Sequence, residues 1–523
     1  MADTIKLVEQ PVGSGKTFHV IRKIVEAGGL IIYCAPTKIL ARQVKKDIQK
    51  VISSNEFVHR KNTPLYIVTS EDKDYSTTVQ EALTELILDA DNSEAIIVCT
   101  LAGIQTVSGS VISKATNEIG KDVTLILDEL PNLFSTYQHS FSGENVKVLD
   151  GLVTVEGDIA RVNDSATYEH ELHDKSFTSE LQKLLELIPS GNVRFQKNKS
   201  NGWTVFGYEL KENLSTIIKL SQTIYLLAAT VKGTLDYVVL NDVWGFNLEN
   251  CETVNSQVIK NKIKEKEGNI RVYPLLDESF SRGKANQGDY SSSMPNEDSC
   301  LVKMLDNAIS FIEDSPALIV SNEWANRFVA PRTKGKNNIE LASPNVKGMN
   351  NHQDKHICCA IYTAKPNGFT TRSLNLLAEQ YNLTNLVGAF VLQSELDMIV
   401  QMCGRTSVRN RESNETCHFL VSDKKQAEHI LETYVSDKQL YGSLMDESLM
   451  VNWSDFSDTN TGRPRSYERE ETAQEMAQYM AYHDYIGEPI KQKDLAEMYG
   501  FTPSGVSKLL KDAGYKKPSK NDS

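Results

Sequence analysis

The feature that most constrains this chain lies at its start. A short apolar strand, Ile5–Val8, runs into Gln10-Pro11-Val12-Gly13-Ser14-Gly15-Lys16-Thr17 and then into an amphipathic helix from Phe18 to Glu26. Glycines such as Gly13 and Gly15 let successive backbone N–H groups, Ser14 included, curl around phosphate oxygens, and the helix start adds a favourable dipole. Lys16 is placed to bridge β- and γ-phosphates, and the Thr17 hydroxyl to ligate Mg²⁺. The general pattern opens on Gly, where this chain has Gln10.

A second motif turns a binding loop into a hydrolytic site. Val123-Thr124-Leu125-Ile126-Leu127 reads as a buried strand and ends in Asp128-Glu129. A carboxylate at such a strand end, Asp128, can reach the Mg²⁺ shell, and Glu129 beside it can orient and deprotonate an attacking water.

The rest of the first half alternates apolar runs with helical patterns, as parallel α/β sheets do. Further strands are expected at Leu30–Cys34, Leu65–Val68, Ala95–Cys99 and Ile224–Ala228, several of them apolar on both faces. An atypical stretch from about 135 to 213 contains an expected hairpin, Val193–Lys197 with Trp203–Leu210. Residues 281–297 are polar and read as a loop. A second α/β unit follows, with strands at Ala317–Val320, Ile339–Ala342, Ile357–Tyr362 and His418–Val421, which suggests a duplicated architecture. The polar stretch 452–469, with Gly462-Arg463-Pro464-Arg465, reads as a linker. The boundaries expected are 1–235 for the first α/β domain, 236–297 for a connector, 298–425 for the second, 426–469 for a linker and 470–523 for a terminal module.

Composition narrows the classes. With 523 residues, 40% apolar and 24% charged, the chain suits a globular protein of several domains. No apolar run approaches the roughly 20 residues of a membrane span, and the N-terminus lacks a secretory pattern, so a cytoplasmic location is expected, the host's if the protein is viral. The eight cysteines contain no C-x-x-C pair, which argues against a zinc or iron–sulfur site. The net charge of −13 does not exclude a nucleic-acid track, because a few basic and backbone contacts can line a channel in an acidic protein. Residues 491–523 run the other way, with seven Lys against four Asp or Glu.

Over about residues 1–425 the sequence resembles the superfamily 2 helicases. Ala35-Pro36-Thr37-Lys38-Ile39-Leu40-Ala41-Arg42-Gln43 is similar to their motif Ia and Ile96-Ile97-Val98-Cys99-Thr100-Leu101 to motif Ib. Leu127-Asp128-Glu129-Leu130-Pro131 occupies the DEAD-type box, and Leu226-Leu227-Ala228-Ala229-Thr230 resembles the Ser-Ala-Thr motif with Ala228 for serine. Ala317-Leu318-Ile319-Val320-Ser321-Asn322 is similar to motif IV, and Ser343-Pro344-Asn345-Val346-Lys347-Gly348-Met349-Asn350 to motif V. Gln401-Met402-Cys403-Gly404-Arg405 opens motif VI, with Arg409 one position later than usual and Arg411 close behind.

The resemblance implies two tandem RecA-like P-loop domains with ATP and Mg²⁺ at the cleft between them. Arg405, then Arg409, would neutralise transition-state charge from the far side, with Gln401 beside them. Pro36, Thr37, Lys38, Thr100, Ser321, Asn322 and Lys347 would touch the nucleic-acid strand. Nine residues precede Gln10, so the upstream adenine-reading segment of the true DEAD-box RNA helicases is expected to be missing. The pattern looks closest to phage, plasmid and viral replication helicases, including the herpesvirus-type origin-binding helicases.

Residues 470–515 read as helix, helix, tight turn, helix, resembling a helix-turn-helix. Thr472–Tyr482 is the first helix, with Met476, Met480 and Tyr482 inward; the last begins with Thr502 as cap and Pro503 at its first position. Leu495, Ala496, Val506 and Leu509 or Leu510 would pack inside, leaving Ser504, Ser507, Lys508 and Lys511 to face DNA; a small protein-docking domain is the alternative. The expected function is therefore an ATP-dependent DNA helicase or translocase in phage or plasmid replication, with DNA and replication proteins as partners. An RNA helicase, or a helix-turn-helix regulator switched by ATP, is the alternative.

Overall fold

The computed structural model describes residues 3–11, 13–71, 77–172, 177–198, 202–254, 269–285, 299–344, 352–410, 413–457, 476–477, 480, 491–498 and 503–512. Its strands, in chain order, are β1 (Thr4–Glu9), β2 (Leu30–Ala35), β3 (Leu65–Val68), β4 (Ile96–Thr100), β5 (Val123–Asp128), β6 (Phe134–Phe141), β7 (Val153–Glu156), β8 (Ile159–Val162) and β9 (Val193–Lys197). They continue with β10 (Trp203–Leu210), β11 (Thr223–Ala228), β12 (Asn247–Asn250), β13 (Ile270–Pro274), β14 (Ala317–Ser321), β15 (Ile339–Ala342), β16 (Ile357–Ile361) and β17 (Cys417–Val421).

The protein is α/β, and two parallel sheets carry it. The first has the order β12-β1-β11-β5-β2-β4-β3 and the second β13-β17-β16-β14-β15. Both are all-parallel sheets of the RecA-like type, and β2 shows why: all six of its residues are buried, as a strand covered on both faces must be. Each sheet takes one strand from the expected 236–297 connector. β12 reads Asn-Leu-Glu-Asn and has no apolar pattern, so only its register beside β1 makes it a strand. β13 pairs with β17, so the second lobe begins by Ile270 rather than at 298. The helix Lys424–Tyr434 buries Ala427, Ile430 and Leu431 in that lobe, which moves the expected linker start at 426 further along the chain. Arg282–Ala285 is a short helical turn inside the stretch expected as a loop.

The chain folds as two compact units. Unit 1 holds both sheets (Met1–Pro274, Ile312–Ala325, Gly335–Ser448); unit 2 comprises Leu275–Phe311, Asn326–Lys334 and Leu449–Ser523. In unit 2, Asn307 bonds the Leu449 carbonyl at 3.0 Å, and the Trp453 N–H donates to Asp277 at 2.7 Å. Its last part buries Met476, Met480, Leu495, Ala496, Val506, Leu509 and Leu510 together. The turn after Met498, the Thr502 cap, Tyr482 and most of the expected first helix lie outside the described residues, as do residues 458–470 with Gly462-Arg463-Pro464-Arg465.

The atypical stretch has its own small core. β9 and β10 form the expected hairpin, and β6 completes an antiparallel sheet ordered β6-β10-β9. Phe141, Leu149, Leu181, Leu184, Phe195 and Val205 lie in its interior. This sheet grips the second lobe through the helix Gly368–Tyr381. Ser373 donates to the Gly207 carbonyl at 2.6 Å, Tyr208 bonds Gln380, and Arg372 bonds Gln196 at 3.1 Å. Leu374 and Leu377 share one apolar cluster with Tyr208, Leu210 and Leu214 of the first lobe.

The helical run Leu386–Cys403 has the length and mean hydropathy, 1.3 over 18 residues, of a membrane span, yet it is 61% buried within the fold. Its apolar side chains serve packing instead.

Candidate ATP-hydrolysis site

The phosphate loop is tied to the sheet before it turns. Gln10 N–H donates to the Ala228 carbonyl of β11 at 3.1 Å, and Ser14 N–H to Pro11 O at 3.2 Å. Gly13 and Gly15 have φ of +84° and +88°, where side-chain-bearing residues are strained. Gly13 has a second reason to be Gly, because a Cβ there would lie 3.0 Å from Arg409 Cγ. Gln10 is not among the described residues with positive φ, so nothing in its backbone demands the Gly of the usual pattern. Helix α1 (Lys16–Ala27) starts from Gly15, and Lys16 Nζ reaches back to Gln10 O at 3.4 Å.

β5 delivers the carboxylates. Asp128 is 3% exposed and accepts a hydrogen bond from Tyr33 Oη on β2 at 2.6 Å. The Thr17 side chain also lies close enough to the Tyr33 phenol to act on its proton, so the phenol sits by both residues expected at the metal. Burial pushes the Asp128 carboxyl up to about 6; the Tyr33 bond opposes this, Glu129 adds to it and Lys16 opposes it. Glu129 has φ of +103°, held there as its N–H extends the ladder to Leu227 O at 2.7 Å. Such a conformation costs about 1–3 kcal/mol and collects at functional sites.

The second lobe supplies the cations. Gln401, on the helix Asp397–Cys403, donates to Asp397 Oδ2 at 2.8 Å inside the fold. The chain then leaves the helix at Gly404 and turns through Ser407–Arg409. That turn removes the helical spacing rule, and Arg405 and Arg409 reach the same cleft despite the extra residue. Burial lowers the Arg405 guanidinium to about 10, with Arg409 pushing the same way and Glu129 opposing, so it stays charged at neutral pH. Burial lowers Lys16 too, while Asp128, Glu129 and Asp397 raise it and Arg409 lowers it. The cleft, about 670 Å³, is lined by Gly13, Lys16, Thr17, Asp128, Glu129 and Arg405 among others, with Gln401 and Arg409 also on its wall. Three cations crowded together out of water suit a polyanion. The hydroxyl of Thr17 and the carboxylate of Asp128 are hard oxygen donors of the kind Mg²⁺ takes. Among the described residues no His/Cys/Asp/Glu cluster forms a metal site by itself, and all eight cysteines are free and buried.

The residues expected on the nucleic-acid strand are placed at strand ends, but several are engaged internally. Thr37 caps helix α2 (Lys38–Ile52) by accepting from Leu40 N–H, and Thr100 accepts from Gly103 N–H. Lys38 pairs with Glu71 at 3.2 Å. Ser321 is 5% exposed, and Asn322 Oδ1 accepts from Thr363 N–H at 2.9 Å. These side chains shape their loops; Pro36 is half-buried in the same turn. Lys347 and Arg411, with 345–350 of motif V, lie outside the described residues. Ser504, Ser507, Lys508 and Lys511 are exposed on the helix Pro503–Asp512, opposite its buried Val506, Leu509 and Leu510.

Several residues escaped the sequence reading. Glu9 closes β1 and accepts from Val231 and Lys232 N–H at 2.6 and 3.0 Å, pinning the segment after Ala228-Ala229-Thr230 to the phosphate-loop strand. Buried Asp236 accepts from Asn132 and Leu133 N–H at 2.7 and 2.8 Å, and Gln393 of the second lobe bonds both Asp236 N–H and Asn132. Asp397 could have been found one helical turn before Gln401, and Tyr33 as the one hydroxyl in an apolar strand. Nothing local marks Asp236 or Gln393.

A phosphate loop, a strand-end carboxylate pair and two arginines from a second RecA-like lobe define a nucleotide-hydrolysing enzyme. More particularly, residues 2–174 match the family model of the DEAD/DEAH box helicases. No curated protein matches the chain. Among solved structures it is similar to an XPD helicase at 12% identity, covering 86% of this chain and 96% of that one, with TM-score 0.48. It is also similar to Mss116p bound to ssRNA and AMP-PNP (13%, 99% and 84%, TM-score 0.35). A third is the Mycobacterium smegmatis helicase Lhr bound to ssDNA and AMP-PNP (12%, 91% and 49%, TM-score 0.32).

Proposed function

We propose that this protein is an ATP-driven DNA translocase or helicase acting in phage or plasmid DNA replication, in the cytoplasm of the cell or host. The observation that carries the motor reading is the meeting of Lys16, Asp128 and Glu129 with Arg405 and Arg409 in one cleft. Lys16 and the loop N–H groups hold the phosphates. Thr17 and Asp128 would hold Mg²⁺, which when bound screens phosphate charge. Glu129 orients the attacking water and takes its proton, and Arg405, seconded by Arg409, meets the charge that grows as the γ-phosphate leaves. Because those arginines come from the other lobe, hydrolysis and lobe movement share one set of contacts.

DNA is favoured over RNA by the terminal module. Its last helix buries Val506, Leu509 and Leu510 and presents Ser504, Ser507, Lys508 and Lys511 outward, the division a recognition helix needs. ATPase activity should rise with single-stranded DNA more than with RNA, and ATP should drive strand displacement. Stronger stimulation by RNA would make it an RNA helicase, and sequence-specific duplex binding without displacement or translocation would make it a regulator. Full DNA-stimulated hydrolysis by Lys16→Ala would refute the motor itself.

A further inference from the structure

The antiparallel sheet β6-β10-β9 has a second face. Alternation along its strands turns Phe141, Phe195 and Val205 into its own core, so the residues between them point the other way. The helix Gly368–Tyr381 is bonded to that side at Gly207 and Tyr208. Beyond this joint Gln138, Ser140 and Gln196 are exposed, and Thr204 and Phe206 are half-buried.

Register sets these side chains in two rows. Gln138, Phe206 and Arg194 are direct cross-strand partners, and Ser140, Thr204 and Gln196 form the next row. The Ser140 and Thr204 hydroxyls lie 3.1 Å apart. Arg194 is turned along its own strand, bonding the Gly191 and Val193 carbonyls at 2.9 and 3.0 Å, with Asp158 at 3.7 Å. From the helix, exposed Arg372 reaches over the grid. Its guanidinium lies 5.5 Å from the Phe206 ring centroid and 5.7 Å from that of Phe369, and it donates to Gln196 Oε1 at 3.1 Å.

The chemistry of this face is narrow. None of the grid residues is acidic, in a chain whose net charge is −13. The bond to Gln196 uses one of the guanidinium's several N–H donors and leaves the others to a ligand. A ring beside a planar cation, bordered by amides and hydroxyls, suits a strand with unstacked bases. Bases stack on rings and guanidinium planes, amides meet base edges, and hydroxyls and guanidinium groups bond phosphates. A stable protein contact is built round an apolar centre, and the grid contains no aliphatic side chain.

We propose that this face, built jointly by the sheet β6-β10-β9 and the second lobe, docks single-stranded nucleic acid, with a base stacked on Phe206 and a neighbouring phosphate held by Arg372. The proposal rests on the reading of the protein as a nucleic-acid motor. It adds a contact outside the ATP cleft, since none of these residues lines that cleft.

The test is fluorescence anisotropy of a labelled oligo-dT of about 30 nucleotides, titrated with the full chain at several salt concentrations. Arg372→Gln should weaken binding roughly tenfold at low salt and lower the slope of log affinity against log salt by about 0.7, one phosphate contact. Phe206→Leu should weaken it roughly fivefold with the slope unchanged. Gln138→Glu changes an exposed side chain outside the lobe joint. It should weaken binding about threefold and leave ATPase activity without nucleic acid at the wild-type rate. Phe206→Trp should add an indole whose emission the oligonucleotide quenches, beyond any change in the wild type. Wild-type affinity in both Arg372→Gln and Gln138→Glu, or no added quench in Phe206→Trp, overturns the surface. Polyglutamate of equal charge competing as well as unlabelled oligo-dT overturns it too, by making the face a general anion surface. A wild-type chain that binds no oligonucleotide overturns the motor reading instead.

Discussion

Tyr33→Phe isolates one hydrogen bond in the hydrolytic site. The phenol donates to Asp128 at 2.6 Å with both groups buried, and the substitution keeps the ring and its packing. A hydrogen bond to an ionised group is worth about 1.5–3 kcal/mol and one to a neutral group about 1. The difference, roughly 0.5–2 kcal/mol and taken as about 1.4, is what the phenol adds to the charged over the protonated acid, and it equals about one pKa unit. Asp128 stands at about 6 in the protein, so losing the phenol moves it to about 7. A metal ligand must be deprotonated, so apparent Mg²⁺ affinity follows the ionised fraction. The variant and the wild type should then agree at pH 8, differ about fivefold at pH 6 and nearly tenfold at pH 5. The assay is Mg²⁺ titration at fixed pH, followed by the fluorescence of a bound nucleotide analogue, with circular dichroism to check folding. Equal Mg²⁺ affinities at pH 6 and pH 8 would refute the reasoning. A deficit of the same size at every pH would show that the phenol acts by geometry rather than by charge.

Other outcomes follow from the same site and its surroundings. Asp128 carries a raised folded pKa, so its burial favours folding below the unfolded value of 3.8 and weakens it as pH rises from there through about 6. Asp128→Asn should flatten that part of the metal-free stability curve, measured by urea melts across pH. Glu129→Gly should raise the melting temperature, since Gly accepts φ of +103° and relieves about 1 kcal/mol, while hydrolysis falls at least about a hundredfold. A rise in melting temperature with activity kept would remove Glu129 from the chemistry. Gly207→Ala should destabilise by about 1–3 kcal/mol, because its Cβ would clash with the backbone oxygen of Asn192; an unchanged urea midpoint counts against it. Arg405→Lys should keep nucleotide binding yet cut turnover about a hundredfold or more, read from steady-state ATPase rates, since an ammonium cannot reproduce the planar fork.

How much of this was legible in the sequence depends on whether the signal is local. β2 and β5 announce themselves because strands buried on both faces need continuous apolar runs. Gly13, Gly15 and Lys16 are legible because phosphate binding imposes residue types at fixed spacing. β12 was missed because an edge strand with polar side chains looks like a loop, and β6 because its burial alternates weakly. The second arginine was readable in kind but not in register, since the turn at Ser407–Arg409 is a tertiary matter. Thr37, Thr100 and Asn322, expected at the nucleic-acid strand, each accept from a backbone N–H. Their residue types suit both tasks, and these bonds show the local one.

The sheet built from residues 134–210 explains what the sequence left without a role. Two RecA-like lobes joined by a connector alone could part freely, and the distance from Arg405 to Glu129 would then be unconstrained. Here the lobes are joined twice more within the same compact unit. One joint is Ser373 on the Gly207 carbonyl, with Leu374 and Leu377 in the apolar cluster of the first lobe. The other is Gln393 bonded to Asp236 and Asn132, just beyond Glu129 in the chain. Apolar joints resist separation but tolerate small slides, whereas a Gln side chain bonded to two groups has a defined bound arrangement. The Asn132 joint is therefore the one able to report the position of the second lobe to the loop that carries Glu129. Lobe opening that breaks the Gln393 bonds would release the Asn132 side chain from one side, while Asp236 still holds the Asn132 and Leu133 N–H groups from the other. The strained φ of Glu129 sits within three residues of that junction, where a small shift in the lobe can become a change in the aim of the Glu129 carboxylate.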